Sequence, residues 1–160
     1  MRIVVLSVDP GKATGMCLLS LGEGAAEPEL EWSGEYQPHE FATPIRRTLE
    51  DIAAETEQVS FRIVCERFTI NAQTVKNSQA PYSLEQIGVL KQILRDYGYE
   101  EARIAFQSPS DAKRMFDNAA LKKLDYWHRG GEGHALDAIR HGLLYLAKNG
   151  WTPKRLLQGY

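Results

Sequence analysis

The chain has 160 residues, 43% of them apolar and 25% charged, with a formal net charge of −2. That length supports one domain with a substantial core, and the composition excludes a disordered or fibrous chain. No apolar run reaches the length of a membrane span, and the first residues enter a strand directly, so neither an anchor nor a signal peptide is expected, and the expected setting is cytoplasmic.

The first expected strand covers residues 2–8, a tight turn follows at Pro10-Gly11, and a second strand covers 14–21. A third is expected over 29–36, so the three form an antiparallel meander. Thr43-Pro44 has the form of an N-cap and first helical residue and predicts a helix ending near Glu57. A strand over 61–66 comes next, then a polar stretch, 67–81, with no periodicity, expected to be a loop. Leu84, Ile87, Leu90, Ile93 and Leu94 recur at helical spacing and predict a helix over 83–97, stopped by Gly98. A strand over 102–107 follows, and Ser108-Pro109 opens a helical region to residue 127, broken near Asn118. Residues 129–133 are expected to form a glycine-rich hinge into a last helix, 133–148, which ends at Asn149-Gly150. The order βββαβαβα predicts an α/β fold with a mixed sheet and helices on its faces. Cys17 and Cys65 fall in expected strands and are expected buried and reduced, with no spacing that suggests zinc.

The small net charge conceals a division. Residues 23–57 carry ten acids against Arg46 and Arg47, and the rest of the chain is net basic. One acidic and one basic side would orient a polyanion, although ordinary solvated charge gives the same count.

Three acids carry the chemistry. Asp9 ends the first strand in a D-P-G turn, Glu66 follows Ile63-Val64-Cys65, and Asp137 lies one helical turn after His134. Strand ends are where open α/β sheets place their sites, and carboxylates from distant segments repel unless a cation joins them. Oxygen ligands with one imidazole suit Mg²⁺ or Mn²⁺ better than zinc and point to phosphodiester chemistry. The plain alternatives are a hairpin turn, an edge glutamate and a capping histidine. The small Gly11 and Gly15 would let a phosphate backbone approach, and His141 is expected to be structural. Phe68, among Ile70, Asn71, Gln73, Lys76 and Asn77, either stacks on bases or packs onto the sheet.

Taken in order, D-P-G-x-x-x-T-G, the acid after the fourth strand and H-x-x-D opening the last helix resemble the RuvC-type Holliday junction resolvases of the ribonuclease H-like superfamily. The compact sequence is also reminiscent of phage-encoded versions. The resemblance covers most of the chain and implies a ribonuclease H-like five-stranded mixed sheet, its first three strands antiparallel, with helices on both faces. It implies that Asp9, Glu66, His134 and Asp137 hold two Mg²⁺ or Mn²⁺ ions, with His134 as ligand or general base. It further implies a homodimer that resolves four-way DNA junctions by paired nicks. Phe68, Asn71, Lys76 and Asn77 would lie on the DNA-contacting loop. Lys113, Arg114, Lys122, Lys123 and Arg129 would hold phosphates. The alternatives are a broader flap, fork or RNA–DNA hybrid nuclease and a non-catalytic junction-binding protein. A sugar-kinase-like phosphate loop is disfavoured, since that fold needs two such domains.

Overall fold

The run of β-branched and aliphatic residues after Arg2 forms β1 (Arg2–Asp9), the central strand of the sheet. Its neighbours in sequence are β2 (Thr14–Leu21) and β3 (Glu29–Tyr36), paired antiparallel as expected. After α1 (Ala42–Ala54), strand β4 (Val59–Glu66) returns parallel to β1 on its other side. The chain continues through α2 (Ala80–Asp96), a 3₁₀ turn at Glu101–Arg103 and β5 (Ile104–Gln107), which pairs parallel to β4. It ends with α3 (Pro109–Met115), α4 (Asn118–Lys123), α5 (Gly133–Lys148) and α6 (Lys154–Leu157). The computed structural model describes residues 1–70, 80–127 and 133–157. The strand order is β3-β2-β1-β4-β5, a mixed sheet with its first three strands antiparallel, as the sequence predicts.

Helices cover both faces. Leu6, Val8, Met16, Ile63 and Cys65 pack under α1 and α2 with Phe41, Ile45, Leu49, Leu90, Ile93 and Leu94. Val5, Cys17, Leu19 and Val64 pack on the opposite side with α3, α4 and α5, through Ala112, Phe116, Leu121, Ile139 and Leu143. Because both faces are covered, β1 is an almost continuous apolar run rather than an alternating one. Both cysteines are free and buried in strands, and burial pushes their thiols up. Among the described residues, no helix is long and apolar enough to cross a membrane.

Several boundaries differ from expectation. Helix α1 begins at Ala42, with Phe41 as N-cap and no side-chain cap, so Thr43 is not the capping residue. Phe41 is buried and anchors the helix start through packing instead. The helix stops at Ala54, and the extended Glu55 accepts a hydrogen bond from Arg2 Nη2. Helix α2 starts at Ala80, inside the stretch read as loop, since proline is tolerated in a helix's first turn. Strand β5 starts at Ile104 because residues 101–103 form the 3₁₀ turn. Gly98 ends α2 as predicted, with φ +78. The four-residue α6 is too short to show periodicity and was not anticipated.

Candidate active site

Successive residues of a strand point to opposite faces. With Val8 and Cys65 under α1 and α2, the next residues, Asp9 and Glu66, face α5 at the C-terminal ends of adjacent parallel strands. Two contacts hold the turn after Asp9: Thr14 Oγ1 donates to the Gly11 carbonyl at 3.4 Å, and Ser83 Oγ of α2 to the Pro10 carbonyl at 2.9 Å.

Helix α5 starts directly over this strand end. Gly15, the register partner of Asp9 on β2, lies under its first turn. A Cβ at Gly15 would stand 1.9 Å from the His134 carbonyl oxygen. Its small size therefore admits the helix rather than a phosphate backbone, correcting the role expected from sequence. Glu35, paired with Gly15 across β2 and β3, accepts the His134 backbone N–H at 2.9 Å. That bond satisfies one of the free donors at the helix start. The His134 ring in turn places Nδ1 2.9 Å from Asp9 Oδ2.

The other two acids have partners of their own. His141 Nε2 lies 2.9 Å from Glu66 Oε2, and Nδ1 lies 3.0 Å from Gln107 Oε1. Asp137 accepts from Arg140 Nη1 and pairs with Lys113 Nζ at 3.0 Å. Arg140 is itself buried and also donates to the Phe116 carbonyl at 2.9 Å and to Asn118 Oδ1. It thereby ties the end of α3 and the start of α4 to the acid on α5.

Asp9 is only 4% exposed. Burial raises its pKa from 3.8 to about 6; the bond to His134 opposes this without winning, and the charges of Glu66 and Asp137 push further upward. His134 is correspondingly raised, chiefly by its bond to Asp9. Among the described residues, no three His, Cys, Asp or Glu side chains stand together as a ready cation cage; each acid is bonded to a basic side chain or a histidine. The chemistry of the donor set still fits a hard divalent ion. Three carboxylates and an imidazole converge on one sheet end, and the most buried of them resists ionisation first because of its burial and then because of the charges of Glu66 and Asp137. Asp9, Glu66, Asp137 and His134 are the residues available to hold it.

The expected nucleic-acid residues divide. Asn71, Lys76, Asn77 and Arg129 lie outside the described residues. Phe68 is half-buried just beyond Glu66. Lys113 is engaged with Asp137, and the exposed Arg114 pairs with Asp111 at 3.4 Å. Lys122 sits 4.8 Å over the Trp127 ring, and Lys123 Nζ donates to the Leu156 carbonyl at 3.4 Å. A cavity of about 740 Å³ beside Asp137 is lined by Lys113, Asn118, Trp127, Leu136 and Arg140. Four site residues escaped the sequence reading: Glu35, Gln107, Arg140 and the polar role of His141. Only the strand registers bring the first two beside the acids. The i,i+3 spacing of Asp137 and Arg140 was a usable signal.

No protein-family model matches the chain, and no curated protein does either. Solved structures do. Over 92% of this chain and 96% of the other, the protein is similar to RuvC of T. thermophilus in complex with a Holliday junction substrate, with TM-score 0.62 and 17% identity. The fold is that of RuvC. A second similar structure is the fowlpox virus resolvase complexed with substrate Holliday junction DNA, with TM-score 0.52, 13% identity and coverage of 91% and 98%.

Proposed function

We propose that this chain is a single-domain, divalent-metal-dependent endonuclease that resolves four-way DNA junctions by paired nicks. The observation that carries the reading is the convergence of Asp9, Glu66 and Asp137, from three distant segments, on one end of the sheet with His134 against Asp9. Such a concentration of negative charge in a partly buried place is costly unless it serves a cation. The likeness in fold to structures solved with Holliday junction DNA supports the substrate class.

In this reading Mg²⁺ or Mn²⁺, two ions per site, would be held by Asp9, Glu66, Asp137 and His134. When bound, such ions make water nucleophilic at neutral pH and stabilise charge on the leaving 3′ oxygen. Asp9, buried and central on the sheet, would be one of the residues that hold the ions. His134, half-exposed, serves either as a ligand or as the base that takes the proton of the attacking water. The products carry 5′-phosphate and 3′-hydroxyl ends. Lys113 and Arg114 on α3 and Lys122 and Lys123 on α4, helices that pack with α5, would hold backbone phosphates. Lys113 would leave Asp137 for a phosphate once a cation takes its place.

A junction has approximate twofold symmetry, so paired nicks call for two sites and a C2 dimer. Helix α2 buries Leu90, Ile93 and Leu94 in the core and exposes Tyr82, Leu84 and Val89, which makes its outer side the dimer surface of this proposal. The setting is cytoplasmic.

The test is incubation of the protein with labelled four-way junction, duplex and flap, in Mg²⁺, Mn²⁺ or EDTA. Symmetric metal-dependent nicks in the junction alone are expected. Equal cutting of flap and junction would replace the reading with a broader branched-DNA nuclease. Tight junction binding with no cutting in either ion would make it a binding protein. Light scattering that finds only monomer, even on a junction, would remove the dimer.

A further inference from the structure

Helix α5 presents two histidines to the acids, and they differ in environment. The His134 side chain is 43% exposed, whereas that of His141 is 1% exposed, with both ring nitrogens engaged. Its two partners are not independent. Glu66 and Gln107 are register partners at the ends of the parallel strands β4 and β5. The Arg67 N–H also donates to the Gln107 carbonyl at 2.7 Å, joining the two strand ends through the main chain. The imidazole thus bridges two neighbouring side chains from above.

Glutamate has three side-chain torsions and loses substantial rotamer freedom when fixed. A ring locked in the core removes that freedom in advance. The Gln107 carboxamide suits this task because it offers an acceptor on one side and donors on the other. With its NH₂ turned to Nδ1, the carboxamide leaves Nε2 of a neutral imidazole to donate to Glu66; with Oε1 against Nδ1, Nε2 donates to Glu66 only when both ring nitrogens carry protons. The bond goes to Oε2, and a carboxylate has a second oxygen with which to take a cation.

We propose that His141, oriented by Gln107, is a positioning residue that holds the Glu66 carboxylate in place for a divalent cation. The proposal rests on the metal-dependent reading above. It replaces the merely structural role expected for His141 from sequence. Supporting partners of this kind typically change metal affinity or activity by about 10- to 100-fold when removed.

The experiment is a Mn²⁺ titration followed by electron paramagnetic resonance of the free ion, on the wild type, His141→Leu, Gln107→Leu and the double variant. Circular dichroism melts check folding, and junction affinity in EDTA is measured alongside. The expected result is Mn²⁺ affinity roughly 10- to 100-fold weaker in His141→Leu, with junction affinity in EDTA unchanged. Gln107→Leu should shift it in the same direction by less, and the double variant should be no worse than His141→Leu. Cleavage by the variants should recover as Mn²⁺ is raised. Wild-type affinity in folded His141→Leu would overturn the positioning role while leaving the nuclease reading intact. If His141→Leu does not fold, Gln107→Leu decides alone, and unchanged Mn²⁺ affinity there overturns the proposal. A wild type that binds no Mn²⁺ would sink the metal reading itself, and this inference with it.

Discussion

Adjacent residues of the same strands go to opposite fates. Val8 and Cys65 enter the apolar layer under α1 and α2, while Asp9 and Glu66, one step along the chain, turn toward α5. On the first side the cluster of Phe41, Ile45, Leu49, Leu90, Ile93 and Leu94 is packing and little else. The second side also has a core, but its edge at the strand ends holds acids, histidines and the buried Arg140. One layer supplies stability at no electrostatic cost. The other accepts an unfavourable buried charge, and the contrast separates what holds the molecule together from what gives it an activity.

The two layers should respond oppositely to mutation. Asp9→Asn is expected to lower junction cleavage roughly 1,000-fold, about 4 kcal/mol in barrier, while leaving junction binding largely intact. Retained cutting in a single-turnover assay would refute the assignment of Asp9. On the opposite face, Leu94→Ala empties a fully buried position and should cost about 2–5 kcal/mol in urea unfolding. Its cleavage rate per folded molecule should stay at the wild-type level.

The pH dependence sharpens the same contrast. The carboxyl of Asp9 titrates in the folded state at about 6 instead of 3.8, so its ionised form is disfavoured by folding. Stability is therefore lost as pH rises between those values, and the penalty is complete above about 6. Asp9→Asn removes it. In EDTA the variant should melt above the wild type at pH 7.5, by an amount of order 1–3 kcal/mol, and the gap should close toward pH 4. A gap that grew toward acid pH would show that burial does not dominate at Asp9.

Gly15→Ala tests how the layers meet, since its Cβ would overlap the His134 carbonyl. A loss of about 1–3 kcal/mol is expected on thermal unfolding, with cleavage reduced because the start of α5 is displaced. The smallest effect concerns Lys113. Lys113→Met should reduce the slope of log affinity against log salt by about one, uniformly across DNA sequences. An unchanged slope would leave Lys113 as a partner of Asp137 only.

Much of this arrangement was legible beforehand where local rules decide it. The three opening strands and the last helix follow from β-formers and helical spacing, and the helical region after Pro109 does break near Asn118. The structure adds the cap at that break: Asp117 accepts the Ala120 N–H at 2.8 Å. Boundaries failed where tertiary contacts take over, as at Phe41, whose burial moves the start of α1 ahead of the Thr43-Pro44 signal. Gly15 was read as room for a ligand because a sequence shows that a site is small but not what fills it.

The sequence by itself determined the order of the five strands and of the helices as far as α5, and the identity of the acids at the strand ends. Those depend on periods of 2 and 3.6 and on turn chemistry, which act within a few residues. Only the tertiary structure decided which partner each acid has: His134 for Asp9, His141 for Glu66, and Arg140 with Lys113 for Asp137. Those pairings depend on the β4–β5 register that sets Gln107 beside Glu66 and on the seat of α5 over Gly15. Apart from the i,i+3 pair of Asp137 and Arg140, such contacts join residues far apart in the chain, and no local propensity encodes them.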